Sequence, residues 1–221
     1  MTNPMINHRG PEFDTLIHKA TEQLKQVFMT KNDLFILTAS GTGSLEAAIV
    51  NTLSPGDRVI AATAGAFGDR FVDMVEAYGA DVKRMDFEWG GPMDPGEIRK
   101  ALQAEPNIKA VLVTHNETST GVTHPVEEIA KVVKGEFDKL LLVDAVSSLG
   151  CIPLPVDAWD CDMVGTASQK GFMIPPGLSF ISVSERAWEA QRTASMPRFY
   201  FDLAMAKTYL ATGQTPFTPN L

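Results

Sequence analysis

Lys170 and Asp144 are the residues of this 221-residue chain best equipped for chemistry. Lys170 stands in Thr166-Ala167-Ser168-Gln169-Lys170-Gly171, directly after the apolar run Met163 to Ala167. Asp144 closes the run Leu140-Leu141-Leu142-Val143. A primary amine in a loop after one strand can condense with an aldehyde. A carboxylate ending a neighbouring strand can keep a heterocyclic nitrogen protonated. Each residue also has an ordinary explanation. Most lysines are solvated surface charges, and a carboxylate after four apolar residues can be a helix cap or half of a buried ion pair.

Other polar groups gather at the ends of apolar runs. Thr38-Ala39-Ser40-Gly41-Thr42-Gly43-Ser44 follows Leu34 to Leu37 and precedes a helical segment. Small residues at a helix start let the backbone approach an anion, although a turn capped by serine or threonine reads the same way. No Walker sequence and no GxGxxG accompanies it. In Ala64-Gly65-Ala66-Phe67-Gly68-Asp69-Arg70, Phe67 can stack on a planar ring or fill the core. The string Thr114-His115-Asn116-Glu117-Thr118-Ser119-Thr120-Gly121 is either a site loop or a capped turn. His115 suits a hydrogen-bonded structural role, and no histidine or carboxylate stands at metal-ligand spacing from it.

The elements that must position these groups alternate. Helical spacing is expected over Glu12–Met29, Ser44–Leu53, Phe67–Tyr78 with Gly79 as C-cap, Asp94–Ala104 with Asp94 as N-cap, and Val126–Val133. Strands are expected over Leu34–Leu37, Arg58–Ala62, Asp81–Met85, Ala110–Thr114, Leu140–Asp144, Met163–Ala167 and Phe180–Val183. Glu88 to Pro92 reads as a turn. Short apolar strands alternating with helices give an α/β fold: a mostly parallel mixed sheet between helices, with an antiparallel neighbour from the closely spaced last pair.

Composition bounds the class. The chain is 44% hydrophobic and 21% charged, which is ordinary for a globular protein. A net charge of −8 argues against a nucleic-acid or anionic-membrane surface, and no apolar stretch reaches the roughly 20 residues of a membrane span. Met1 to Arg9 lacks the apolar core of a secretory signal. Cys151 and Cys161 flank apolar segments without CxxC spacing and read as buried free thiols. A cytoplasmic enzyme fits these features.

Several loops together resemble one family, the class V, fold-type I pyridoxal-phosphate-dependent aminotransferases, in its alanine/serine–glyoxylate (serine–pyruvate) branch. The resembling strings are Asn7 to Phe13, Ser40-Gly41-Thr42, Thr114 to Gly121, Val143-Asp144-Ala145-Val146-Ser147-Ser148, Ser168-Gln169-Lys170 and Pro175-Pro176-Gly177, in the family's order. The resemblance implies pyridoxal 5′-phosphate bound to Lys170 as a Schiff base, with Asp144 on the pyridine nitrogen. It implies a phosphate loop of Ser40, Gly41 and Thr42, with Gln169 as a further donor. Phe67 would stack on the ring, Val146 would pack on its opposite face, and Thr118 would reach the phenolic oxygen. The substrates implied are a small amino acid and a 2-oxo acid.

It also implies a homodimer whose neighbouring subunit completes the phosphate site, through Gln214-Thr215-Pro216-Phe217-Thr218 and Thr215 in particular. The expected domain is a large cofactor-binding domain over 1–221, with the N-terminal arm segment and the small C-terminal domain missing. The arginine for the substrate carboxylate would lie in that small domain. Two other readings stand beside this one. A cysteine desulfurase-like lyase shares the scaffold but usually carries a histidine where this chain has Phe67. The chain is alternatively a cofactor-binding or dimerisation unit without turnover.

Overall fold

The computed structural model describes residues 5–220; the opening of the supposed non-signal segment, Met1 to Pro4, lies outside them. A seven-stranded sheet forms the centre. Its strands are β1 (Asp33–Leu37), β2 (Arg58–Thr63), β3 (Asp81–Asp86), β4 (Ala110–Thr114), β7 (Leu140–Asp144), β8 (Met163–Ala167) and β9 (Ser179–Val183). A small hairpin, β5 (Asn116–Glu117) with β6 (Val122–Thr123), follows β4. The sheet order is β1-β9-β8-β7-β4-β2-β3. Only β9 runs against its neighbours, pairing antiparallel with both β1 and β8.

The helices are α1 (Pro11–Phe28), α2 (Gly41–Thr52), α3 (Ala66–Ala77), α4 (Pro95–Ala104), α5 (Val126–Ala130), α6 (Glu185–Thr193) and α7 (Leu203–Leu210). They cover both faces of the sheet, so the inner strands are apolar on both sides. Strand periodicity divides their side chains into two cores. Val111, Val113, Leu141 and Val143 join Ile98 and Leu102 of α4 and Ile129 of α5. Leu112, Leu140 and Leu142 join Ile49 of α2, Phe71 and Val75 of α3, and Trp188 of α6. Helix α2 is buried nearly all round, which explains its run of small and apolar residues.

Most expected elements recur within a residue or two. Asp94 caps α4 by accepting from the Gly96 N–H at 2.7 Å, and Gly79 sits just past the α3 cap, Tyr78, in the left-handed region. Three corrections follow. The helix expected over Val126–Val133 is α only to Ala130, then continues as a π-helical turn from Lys131 to Glu136. Helices α6 and α7 were not anticipated. Cys151 is exposed, because its segment is a surface turn, whereas Cys161 is buried. No helix of the described residues is long and apolar enough to cross a membrane.

A buried ion pair fastens the sheet to its surroundings. Lys134 of the π-turn donates to Asp162 at 2.7 Å, with side-chain exposures of 6% and 1%. Asp162 also accepts from the Leu141 N–H and the Ser184 hydroxyl, tying the start of β7 to the cap of α6.

Candidate active site

Six strands, β1, β2, β3, β4, β7 and β8, point their C-terminal ends at one edge of the sheet, and the loops leaving all of these but β3 carry the polar residues. This is where open α/β sheets bind ligands. A cleft of about 410 Å³ lies there. Ser40, Gly41 and Thr42 line it from the start of α2, Phe67 and Arg70 from α3, Asp144 and Val146 from the end of β7, and Gln169 and Lys170 from the loop after β8. Residues separated by 130 positions in sequence therefore face one cavity.

The phosphate-loop candidates sit at a helix start. Ser40 takes the N-cap position in extended backbone, and its side chain makes no cap hydrogen bond. The Gly43 N–H bonds the Ser40 carbonyl at 2.9 Å, which leaves the Gly41 and Thr42 N–H groups for a ligand, and the helix dipole adds positive potential. Gly41 has no room for a side chain: a Cβ there would lie 2.6 Å from Val146 Cγ2 and 3.3 Å from Ala167 Cβ. Val146 and the cradle therefore touch.

Asp144 is 4% exposed at the floor of the cleft. Its Oδ1 accepts the Val146 N–H at 2.9 Å. Burial pushes its carboxyl up to about 6, an effect the Val146 hydrogen bond partly offsets; the neighbouring Glu117 adds to the rise, while Arg70 and Lys170 oppose it. It forms no ion pair among the described residues. A buried carboxylate in that position is suited to a cationic group entering the cleft.

Lys170 and Gln169 are exposed, on a loop held at both ends. Buried Ser168 donates its hydroxyl to the Pro175 carbonyl at 2.7 Å, and the Met173 N–H bonds the Lys170 carbonyl. Gly171 packs on Leu149 and Gly150 so closely that a Cβ would overlap their backbone. The Lys170 amine makes no hydrogen bond or ion pair among the described residues and stands on a closely packed backbone.

Phe67 is half-buried, with the Arg70 guanidinium 5.0 Å from its ring centroid. The loop after β4 is stitched to that after β7: Asn116 Nδ2 donates to Ser147 Oγ, and His115 Nδ1 lies 3.0 Å from Ser148 Oγ. Burial lowers His115 to about 4, so it is a neutral structural ring, as its sequence context suggested. Two expected residues do not line the cleft. Thr118 is exposed on the hairpin beside it. Thr215 borders a separate apolar groove with Phe35, Leu37, Tyr200 and Phe217, its hydroxyl donating to the Phe217 carbonyl at 2.7 Å.

Sequence reasoning passed over Glu117 and gave Arg70 no part in the site. Glu117 is fully buried and accepts hydrogen bonds from the Phe67 and Gly68 N–H groups and from the N–H and hydroxyl of Ser119. Only its place in a polar string after an apolar strand hinted at this.

The residues present fit pyridoxal phosphate. A helix start of small residues, uncapped by Ser40, can take the phosphate, Phe67 and Val146 can hold a flat ring, Asp144 can meet a ring nitrogen, and Lys170 can meet an aldehyde.

Comparison with known proteins agrees. The chain is 47% identical over 216 residues to a protein named soluble hydrogenase 42 kDa subunit from Anabaena cylindrica, covering 97% of this chain and 56% of that one. It is 41% identical over 224 residues to serine–glyoxylate aminotransferase of Methylorubrum extorquens, covering 97% and 56%. The crystal structure of alanine–glyoxylate aminotransferase from Nostoc sp. superimposes with a TM-score of 0.90 at 36% identity, over 94% of this chain and 55% of that one. The chain thus spans little more than half the length of these relatives. The profile of the family Aminotransferase class-V matches residues 2–202, and the chain belongs to that family.

Proposed function

We propose that this chain is the large, cofactor-binding domain of a pyridoxal-phosphate-dependent aminotransferase that moves an amino group between a small amino acid and a 2-oxo acid such as glyoxylate or pyruvate. The observation that carries the reading is the meeting of Lys170, Asp144, Phe67 and the start of α2 around one cleft. Three relatives share one acceptor and differ in the donor: aspartate–glyoxylate, serine–glyoxylate and alanine–glyoxylate aminotransferases. Alanine or serine is our choice of donor.

Bound pyridoxal phosphate supplies an aldehyde that condenses with amines and a ring that accepts electrons from the substrate Cα. The residues supply the rest. Ser40, Gly41, Thr42 and Gln169 anchor the phosphate. Phe67 and Val146 fix the ring plane, and Asp144 holds the proton on the ring nitrogen. Lys170 tethers the cofactor, then its free amine takes the Cα proton and returns it one atom away. Thr118, on the hairpin beside the cleft, is proposed to hydrogen-bond the phenolic oxygen. Thr215 serves the cleft of a second subunit in a homodimer, which accounts for its distance from the cleft of its own chain. We also propose a cytoplasmic location, which its two free cysteines fit.

The test is an absorbance titration with pyridoxal phosphate, followed by borohydride reduction and mass mapping. A reduced adduct on Lys170 is expected; an adduct on another lysine, or none, overturns the assignment. Keto-acid formation from alanine or serine with glyoxylate, against sulfide release from cysteine, then separates transamination from the lyase reading.

A further inference from the structure

Glu117 is 0% exposed, yet no lysine or arginine forms an ion pair with it among the described residues. Its charge is met by hydrogen bonds alone. Oε2 accepts the Phe67 N–H at 3.1 Å and the Gly68 N–H at 3.0 Å, both in the first turn of α3. Oε1 accepts the Ser119 N–H at 3.0 Å and the Ser119 hydroxyl at 2.6 Å. The Ser119 hydroxyl in turn accepts from the Ala66 N–H at 3.0 Å. One carboxylate therefore joins the turn that carries Phe67 to the hairpin that carries Thr118.

The chemistry of the four donors dictates the residue. Both oxygens must accept, and only an ionised carboxylate offers two acceptors without a donor. A glutamine would turn an NH₂ group toward N–H groups. Aspartate is one methylene short of a gap that the opposite wall already fits closely: a Cβ on Gly65 would lie 2.5 Å from Glu117 Cδ and 2.5 Å from Ser119 Oγ. The helix start of α3 supplies the positive potential that makes a buried anion tolerable there.

We propose that Glu117 is a positioning residue for the cofactor site: its carboxylate clamps the α3 start to the β5–β6 hairpin and so fixes the height of the Phe67 ring and the reach of Thr118 over the cleft. The inference rests on the pyridoxal-phosphate reading for its functional consequence. It does not rest on that reading for the clamp itself.

The experiment compares the 221-residue chain with Glu117→Gln and with Gly65→Ala, which pushes on the clamp from the other side. Leu102→Ala, in the core of the opposite sheet face, serves as a stability-matched control. The first readout is amide hydrogen exchange. Both clamp variants should lose protection together at residues 66–68 and 119, and the control should not. The second is pyridoxal phosphate affinity and the circular dichroism of the bound cofactor, which reports ring orientation. Both clamp variants should bind at least tenfold more weakly, with a reduced or inverted dichroic band, and the control should keep the wild-type spectrum. Unchanged exchange at 66–68 in Glu117→Gln, or wild-type affinity and dichroism despite lost protection, overturns the proposal. If the wild-type chain itself binds no pyridoxal phosphate, the cofactor reading fails, and the exchange data still decide whether the clamp exists.

Discussion

Gly41 and Val146 stand so close that a single added methyl group would bring them to 2.6 Å. The start of α2 and the loop after β7 are thus one wall, and Val146, proposed to pack on the ring, presses against the proposed phosphate cradle. Gly41→Ala should therefore cost about 1–3 kcal/mol through overpacking. It should also weaken pyridoxal phosphate binding by tenfold or more. Chemical denaturation and a cofactor titration measure the two effects, and an alanine variant that binds normally would show that the wall is not rigid.

Lys170 is exposed and makes no side-chain hydrogen bond or ion pair among the described residues, so its removal should leave the fold intact. Lys170→Ala should change stability by no more than about 0.5 kcal/mol. It should abolish the visible absorbance of the bound cofactor and the borohydride-fixed adduct. Retention of a reduced adduct elsewhere on the chain would dismiss this amine.

Asp144 and His115 should oppose each other in the pH dependence of stability. With its carboxyl raised to about 6, Asp144 binds more proton in the folded than in the unfolded chain between about pH 4 and 6. Through that group stability falls as pH rises across this window. His115, lowered to about 4, binds less proton in the folded chain, so stability through it rises with pH from about 4 to 6.5. The two slopes should nearly cancel in the free protein. Asp144→Asn should be more stable than wild type at pH 7, by about 3 kcal/mol, and equal to it below pH 4. Its melting temperature should rise with pH through the His115 window. Added pyridoxal phosphate should stabilise wild type more than the asparagine variant, because on the proposed reading the protonated ring nitrogen then loses its carboxylate partner. Melting curves at several pH values, with and without cofactor, test all of this; an asparagine variant no more stable than wild type at pH 7 would contradict it.

Lys134→Met should destabilise the chain by about 3–5 kcal/mol, since it strands Asp162 in the interior. The double variant Lys134→Met with Asp162→Asn should recover part of that loss. Urea unfolding of the set gives the coupling, and simple additivity would mean the pair is not acting as a unit.

Much of this site was legible because strands announce their ends. Leu140 to Val143 are uniformly apolar, so Asp144 stands out at the edge where the sheet stops, and Lys170 is marked the same way by Met163 to Ala167. The helix and strand alternation likewise follows from periodicity. What stayed hidden depends on partners distant in sequence. Glu117 becomes intelligible only when Phe67 and Gly68, about fifty positions earlier, arrive with free N–H groups. Helix α6 is polar on most of its surface and buries little beyond Ala187 and Trp188, which left a weak apolar pattern. The π-turn carries no local marker, because Lys134 is drawn inward by Asp162, on another element.

The single reversed strand, β9, has a consequence for biogenesis. It is the spacer between β1 and β8, so β1, which leads to the Ser40 turn, joins the sheet that carries the Lys170 turn only after residue 183 has been made. Residues 33–37 must wait, with one margin open, for a partner made almost 150 residues later. Under the proposed cofactor reading, the strands behind the two halves of the cleft are joined in one sheet only in chains whose synthesis has passed that point.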